Sequence, residues 1–376
     1  MKIAIDSSQI LYETGVSSYT KNLIEGLLQI DKENQYIIFG GSLRRYFELK
    51  NKLKLFELKN NHNIFTKVFP LPPKLTDLAW NRLHLFPIER LVGDIDVLHS
   101  SDWAQPPTRA YKVTTVHDVI PIKYPKLTHP TIVSTHVRRF NIVKKVVDAI
   151  ICPSESTKGD LINLGVSLNK IFVIPEAPES IYKPATKTQI QKIKSKYRIE
   201  GNYLISVGIT PRKNVERIIQ AYEKVKTGKK LKLVVVGEAK TEISYRRGVI
   251  FTGPVQSNEL PVFYSGAEAL VYPSLYEGFG LPILEAFSCK IPVVTSNFGA
   301  MREVADSCAQ LVDPYSVSSI VEGIEKAINN RGELVKKGSE RVKKYRWTNI
   351  ARSTLKIYQR RQERKVKKIE IEKERA

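Results

Sequence analysis

Short runs of buried-type apolar residues alternate with stretches of helical periodicity along this chain, and the alternation happens twice. In the first half the strand-like runs are Lys2–Ile5, Tyr36–Phe39, Val97–Leu98, Val113–Val116, Ala149–Cys152 and Ile171–Ile174. Tyr19–Ile30, Leu75–Val92 and Ile132–Val147 lie between them with helical spacing, for example Leu23, Leu27 and Ile30 on one face. Strands alternating with helices predict an α/β fold, a parallel sheet with helices on both faces. Pro175, Pro178 and Pro184 then break the rhythm over Pro175–Ala185, as an interdomain connection would. The rhythm restarts with Tyr203–Val207, Leu233–Val236, Val249–Phe251, Ala269–Tyr272 and Val293–Thr295. The expected organisation is a domain over residues 1–180, a second over 200–345, and a C-terminal helix over 346–376 crossing back to the first. Two Rossmann-like halves joined by a hinge would face each other across a ligand cleft at the carboxyl ends of their strands.

Length and composition agree. A chain of 376 residues corresponds to about two domains, and 42% hydrophobic with 26% charged residues is enough to bury a sizeable core. The net charge of +22 attracts phosphates, whether in nucleic acid, an anionic membrane or a phosphorylated substrate. Cys152, Cys289 and Cys308 have no metal-ligand spacing, and an odd number argues against a disulfide framework. The start, Met-Lys-Ile-Ala-Ile-Asp, lacks the apolar region of a signal peptide, and no stretch approaches the roughly 20 apolar residues of a membrane span. The expected location is the cytoplasm, peripheral on the inner face of the cell membrane.

Candidate chemistry concentrates in the second half. After the strand Tyr203–Val207, Gly208 permits close backbone approach, and Arg212 and Lys213 precede Asn214, a good N-cap for the next helix. A helix N-terminus favours anions, so a diphosphate fits this corner. A second strand ends at Tyr272 and leads through Glu277, Gly278, Phe279, Gly280 and Leu281 into a helix with Pro282 in its first turn. A third unit runs from Ile291–Ser296 to Gly299 and Ala300. Each element alone reads as an ordinary capped helix, but three helix starts on one sheet edge point to a phosphorylated ligand. Glu277 and Glu285 form an E-x7-E pair, and carboxylates bind vicinal hydroxyls well. One could hold a sugar and the other a ribose.

The run Tyr272-Pro-Ser-Leu-Tyr-Glu277-Gly-Phe-Gly-Leu-Pro-Ile-Leu-Glu285-Ala resembles the signature of the retaining GT-B glycosyltransferases of family 4 (group 1, mannosyltransferase-like). Val207-Gly208 through Pro211-Arg-Lys-Asn214 is similar to the family's phosphate corner, Val116-His117-Asp118 to its N-domain histidine motif, and Pro153-Ser-Glu-Ser-Thr157 to its end-of-domain motif. The resemblance implies that Glu277 contacts the transferred hexose and Glu285 the donor ribose. Arg212 and Lys213 would meet the diphosphate, and backbone groups from Gly278 to Leu281 would line the sugar-phosphate. His117 would reach the donor sugar, Asp118 would cap or orient, and Gly15 would be the close-approach residue of the first loop. Three positions depart from the pattern: Ile209 replaces the usual arginine, Thr14-Gly15-Val16-Ser17-Ser18 is poor in glycine, and Lys290 stands where relatives have glycine.

The function implied is transfer of a hexose, with mannose favoured, from a nucleoside-diphosphate sugar to a glycan or lipid-linked acceptor in cell-envelope glycan biosynthesis. The donor, GDP-mannose or UDP-hexose, is a substrate, and no cofactor is expected. No Asp-x-Asp motif stands beside the phosphate corner, so the expectation is metal independence. Arg44-Arg45-Tyr46-Phe47, Arg138-Arg139 and Lys144-Lys145 suggest an anionic membrane partner. Four other readings compete with this one. A basic nucleic-acid module should show stacking platforms or a recognised motif, and neither is present. A Rossmann oxidoreductase should carry G-x-G-x-x-G after its first strand, which is missing. A GT-B epimerase or a soluble synthase stays open.

Overall fold

The computed structural model describes residues 1–12, 14–59, 63–228, 230–238 and 246–362. Contacts divide the chain into two units, one of Met1–Glu176 with the segment from Trp347, the other Ala177–Arg346.

The first unit holds a parallel sheet of β1 (Lys2–Asp6), β2 (Gln35–Gly41), β3 (Ile64–Phe69), β4 (Val97–Ser100), β5 (Tyr111–Thr115), β6 (Ala149–Cys152) and β7 (Ile171–Val173). Their spatial order is β3-β2-β1-β4-β5-β6-β7. Central strands are buried on both faces, which is why they read as continuous apolar runs: Ile3, Ala4, Val97, Leu98 and Ala149–Cys152 are all fully buried. The helix Gly15–Ile30 covers one face and receives the helix Trp347–Gln359. Gly26 permits that contact, since a Cβ there would stand 3.1 Å from both Ala351 Cβ and the Trp347 carbonyl. At its end Arg360 lies over the Phe172 ring at 4.9 Å and Arg361 pairs with Asp96. Arg364, Lys365, Lys367 and Lys368 lie outside the described residues.

The second unit has β8 (Asn202–Val207), β9 (Leu231–Val236), β10 (Val249–Phe251), β11 (Leu270–Tyr272), β12 (Val293–Ser296) and β13 (Gln310–Val312), in the order β10-β9-β8-β11-β12-β13. All the ladders between these strands are parallel. In both sheets the order reverses once, between β1 and β4 and between β8 and β11. That reversal is where the connections after the two central strands leave on opposite faces, which opens a crevice at their carboxyl ends.

Two expectations are corrected. Leu75–Val92 is not one helix: it breaks into Pro73–Thr76, a π-helical turn over Asp77–Arg82, and Glu89–Val92. Between the last two, His84 and Phe86 take left-handed backbone with φ of 49° and 67°. The helix after Lys213 does begin at Val215, but Asn214 does not cap it. Asn214 is itself left-handed (φ 63°), and its buried amide donates to Pro273 O at 3.1 Å and Pro314 O at 2.7 Å.

Candidate active site

The reversal point of the second sheet is built from two loops that hold each other. After β8 the chain turns at Gly208, whose φ of 85° suits glycine. A Cβ at Gly208 would meet the Lys213 stem at 3.1–3.4 Å, so the bare glycine lets that lysine fold back across the strand end. After β11 the chain leaves the sheet and bends at Leu275 on its way to Glu277. Leu275 N donates to Arg212 O at 2.8 Å, and the Asn214 side-chain amide donates to Pro273 O, so one backbone bond and one side-chain bond fix the two loops together.

Those restraints bring Arg212, Lys213, Tyr272 and Glu277 into one cluster. Lys213 Nζ donates to Glu277 Oε1 at 2.7 Å and also to the Tyr272 hydroxyl, and lies 4.5 Å from the Tyr272 ring centroid. The Tyr272 hydroxyl donates to the same Oε1 at 2.8 Å. Arg212 pairs with Oε2 and donates to Tyr276 O at 3.3 Å. Burial would raise the Glu277 carboxyl. The charges of Lys213 and Arg212, with the hydrogen bonds from Lys213 and Tyr272, outweigh burial and hold it at about 2. Burial draws the Lys213 ammonium below its usual range, against the pull of Glu277. Two cations and one carboxylate leave the cluster net positive.

The loop continues into the helix Leu281–Ser288 through Gly280, whose φ is 109°. Gly278 is buried in the loop. The Phe279 side chain points into the core, 6.0 Å from the Tyr345 ring, so only its backbone can serve a ligand. Leu281 opens the helix, and Glu285 follows one turn later. Its Oε2 accepts from the Tyr264 hydroxyl at 2.8 Å. Burial pushes the Glu285 carboxyl up to about 7, against hydrogen bonds from Tyr264 and Tyr182. The two glutamates therefore differ in character: Glu277 is a fixed anion, and Glu285 can be protonated near neutrality.

His117 belongs to the first unit and follows β5 directly. Its Nδ1 lies 2.7 Å from Glu176 Oε1, and its ring meets Tyr19 edge-on at 4.6 Å. Burial would lower its pKa, but the hydrogen bond and charge of Glu176, with Asp102 and Asp118, raise it. Asp118 caps locally, its Oδ1 accepting from Ile120 N at 2.9 Å. Gly15 opens the helix Gly15–Ile30 behind the Thr14 cap and is exposed. A Cβ there would touch nothing within 4 Å, so no contact within the chain calls for its close approach.

The description "Glycosyl transferases group 1" matches residues 188–345, and "Glycosyltransferase Family 4" matches residues 14–177. The chain belongs to the family 4 glycosyltransferases. It is 26% identical to the O-antigen chain mannosyltransferase B of Escherichia coli over 381 residues, covering 95% of this chain and 99% of that protein. Among solved structures it resembles a glycosyltransferase from Rickettsia africae (TM-score 0.71, 18% identity, 96% and 98% of the two chains). It also resembles Anabaena HepE in complex with UDP and glucose (TM-score 0.66, 14% identity, 95% and 99%). Two Rossmann-like parallel-sheet units of this kind are the GT-B fold.

In this glycosyltransferase Gly208, Arg212, Lys213 and Glu277 come together, with Gly278–Leu281 continuing the same loop. His117 and Gly15 stand in the other unit. Sequence reasoning missed Tyr272, Tyr264 and Tyr182, which orient the two glutamates, and Glu176, which holds His117. The basic surface is smaller than expected. Arg139 is buried and donates to Thr114, Arg138 holds Asp77 at 2.7 Å, and Lys144 donates to Leu164 O at 3.2 Å. Among the described residues no helix is long and apolar enough to cross a membrane.

Proposed function

We propose that this glycosyltransferase is a retaining hexosyltransferase that works without a metal ion. It moves mannose from GDP-mannose, with UDP-hexose as the second donor reading, to a glycan or lipid-linked acceptor in cell-envelope glycan synthesis. The observation that carries the reading is the Arg212–Lys213–Glu277–Tyr272 cluster at the reversal point of the second sheet. It is net positive, partly buried and built from the two loops best placed for a diphosphate. The mannosyltransferase name of the full-length relative favours the sugar.

In the reaction, the bond between the anomeric carbon and the leaving phosphate oxygen breaks, and the acceptor oxygen forms a new bond to that carbon on the same face. The acceptor proton passes to the leaving phosphate oxygen, so the products are the glycosylated acceptor and a nucleoside diphosphate. Arg212 and Lys213 stabilise the charge growing on that oxygen, as preorganised donors do. Arriving phosphates draw the two cations from Glu277, whose carboxylate is then free to accept from sugar hydroxyls. The neutral form of Glu285 can both donate to and accept from the ribose diol. Gly208 and the backbone of Gly278, Phe279, Gly280 and Leu281 give close approach to the sugar-phosphate. His117 and Gly15 serve from the first unit, His117 as the second catalytic residue.

The enzyme is proposed to work in the cytoplasm against an anionic membrane surface, with no nucleic acid partner. The net charge of +22 and the exposed Leu83, Leu85 and Phe86 beside Arg82 and Arg90 support this. The test is a panel of sugar nucleotides in EDTA, scored for nucleoside diphosphate release. Release from one donor supports the reading. Release that appears only with added divalent metal removes metal independence, and none from any donor with or without metal removes the transferase reading.

A further inference from the structure

The first unit buries a histidine that the donor chemistry does not use. His99 lies in β4, with its Nε2 3.0 Å from Thr115 Oγ1 on the neighbouring β5. Its Nδ1 lies 2.6 Å from the Tyr358 hydroxyl, in the helix Trp347–Gln359. Burial holds the His99 pKa down at about 3, with the charges of His117 and Arg139 acting in the same sense, so the ring is neutral at physiological pH. A neutral imidazole donates from one nitrogen and accepts at the other. Whichever tautomer it takes, Thr115 Oγ1 can still accept from the Tyr19 hydroxyl, 3.2 Å away. Tyr358, His99, Thr115 and Tyr19 therefore form an uncharged strut of four buried side chains.

The strut ends at His117. The Tyr19 and His117 rings are nearly perpendicular (81°), with centroids 4.6 Å apart, which is close edge-to-face packing. The Tyr19 ring also meets Trp347, at 5.7 Å and 67°. Trp347 and Tyr358 stand three turns apart in one helix and so share a face. That helix packs on the helix Gly15–Ile30, which carries Tyr19. The chain re-enters the first unit at Trp347, so the brace on Tyr19 forms at the point of return. The titratable groups around His117 are Glu176 at Nδ1, Asp102 and Asp118 through their charges, Asp6 across a small hollow, and the neutral His99. The bond to Glu176 fixes one point of the imidazole and leaves the ring able to swing about it.

We infer that Tyr19 is a positioning residue for His117: braced by Thr115 through its hydroxyl and by Trp347 through its ring, it stops the imidazole from swinging about its bond to Glu176. The C-terminal helix is thereby part of the histidine's support. This rests on the catalytic reading of His117 and deepens it.

The imidazole can be read without any donor. His117 is one of six histidines, and the spectrum of His117→Gln assigns its signal. Nuclear magnetic resonance titration of the full chain then gives the pH midpoint of that ring. Trp347→Leu removes the brace and leaves every group that faces His117 in place. It should move the midpoint to lower pH, because a swinging ring spends less time on Glu176. It should also lower kcat about tenfold with donor KM unchanged. Trp347→Phe, which keeps a ring, should restore both values. Tyr19→Phe cuts only the link to Thr115 and should move the midpoint in the same direction by less. An unmoved midpoint in both Trp347→Leu and Tyr19→Phe, or equal midpoints in Trp347→Leu and Trp347→Phe, overturns the inference. A moved midpoint with unchanged kcat leaves the hold of Tyr19 on the ring standing and removes His117 from the reaction. A moved midpoint with no turnover on any donor leaves that hold standing while the transferase reading fails.

Discussion

The Glu277 carboxylate sits 2.7 Å from the Lys213 ammonium, and Arg212 holds its other oxygen, so the anion predicted to grip the sugar is held by both cations predicted to grip the phosphates. The site thus pairs its one carboxylate with both cations and keeps a net positive charge, and the donor must exchange partners with it. Removing Glu277 leaves two neighbouring cations without their carboxylate, and breaking a buried pair in this way typically costs about 3–5 kcal/mol. Glu277→Gln is expected to lower the melting temperature and to reduce kcat by roughly 10²-fold or more. Lys213→Ala should lose comparable activity. Steady-state kinetics with circular-dichroism melts separate the two effects, and full turnover by either variant contradicts its assignment.

Glu285 gives a pH signature. Its folded pKa, raised to about 7, lies above its unfolded value, so the native state binds the extra proton. Its contribution makes the fold less stable as pH rises from the ordinary carboxylate range through about 7. Glu285→Gln should therefore raise the melting temperature at pH 8 but not at pH 5, and flatten the change in donor KM across neutrality. An equal shift at both pH values contradicts the assignment.

His117 depends on Glu176. Its raised pKa gives stability that is full below the unfolded imidazole value and lost as pH rises through the folded one. His117→Ala is expected to lower kcat about 10²-fold. Glu176→Gln, acting through the histidine, should move the pH midpoint of kcat to lower pH with a smaller loss, about tenfold. A loss without a pH shift would reduce Glu176 to packing.

Lys290 tests a departure from the family pattern. Its φ of 59° is left-handed, which explains why glycine suits the position. Lys290→Gly is expected to stabilise the second unit by about 1 kcal/mol, or roughly 2–4 °C, with unchanged turnover. Differential scanning calorimetry decides it, and a lower melting temperature contradicts the strain argument.

Membrane contact has its own readout. Leu83 and Leu85 are 57% and 61% exposed. Changing both to serine should reduce co-sedimentation with phosphatidylglycerol vesicles, and wild-type binding should weaken with salt. Equal sedimentation of variant and wild type contradicts a role for this segment.

The pattern of what the sequence disclosed is physical. Ala149–Cys152 was legible to the residue because inner parallel strands are apolar without interruption, and the edge strand Val249–Phe251 was legible because its three residues are apolar as well. Both strands that were missed are edges: Ile64–Phe69 is only partly buried and carries Lys67, and Gln310–Val312 has three residues. Leu75–Val92 misled because leucines at helical spacing normally face a core, and here several face outward. The two site loops were readable because glycine and proline punctuate them locally. Glu176 was not, since its contact with His117 spans 59 positions and leaves no local pattern. The tyrosines around Glu277 and Glu285 read as ordinary core aromatics until their hydroxyls were placed.

Diffraction from crystals soaked in GDP or UDP tests the central claim most directly. The account predicts diphosphate oxygens within hydrogen-bond reach of Arg212 and Lys213, with Glu277 released from at least one of them. A nucleotide bound elsewhere, with the Arg212–Glu277–Lys213 contacts intact, would contradict it.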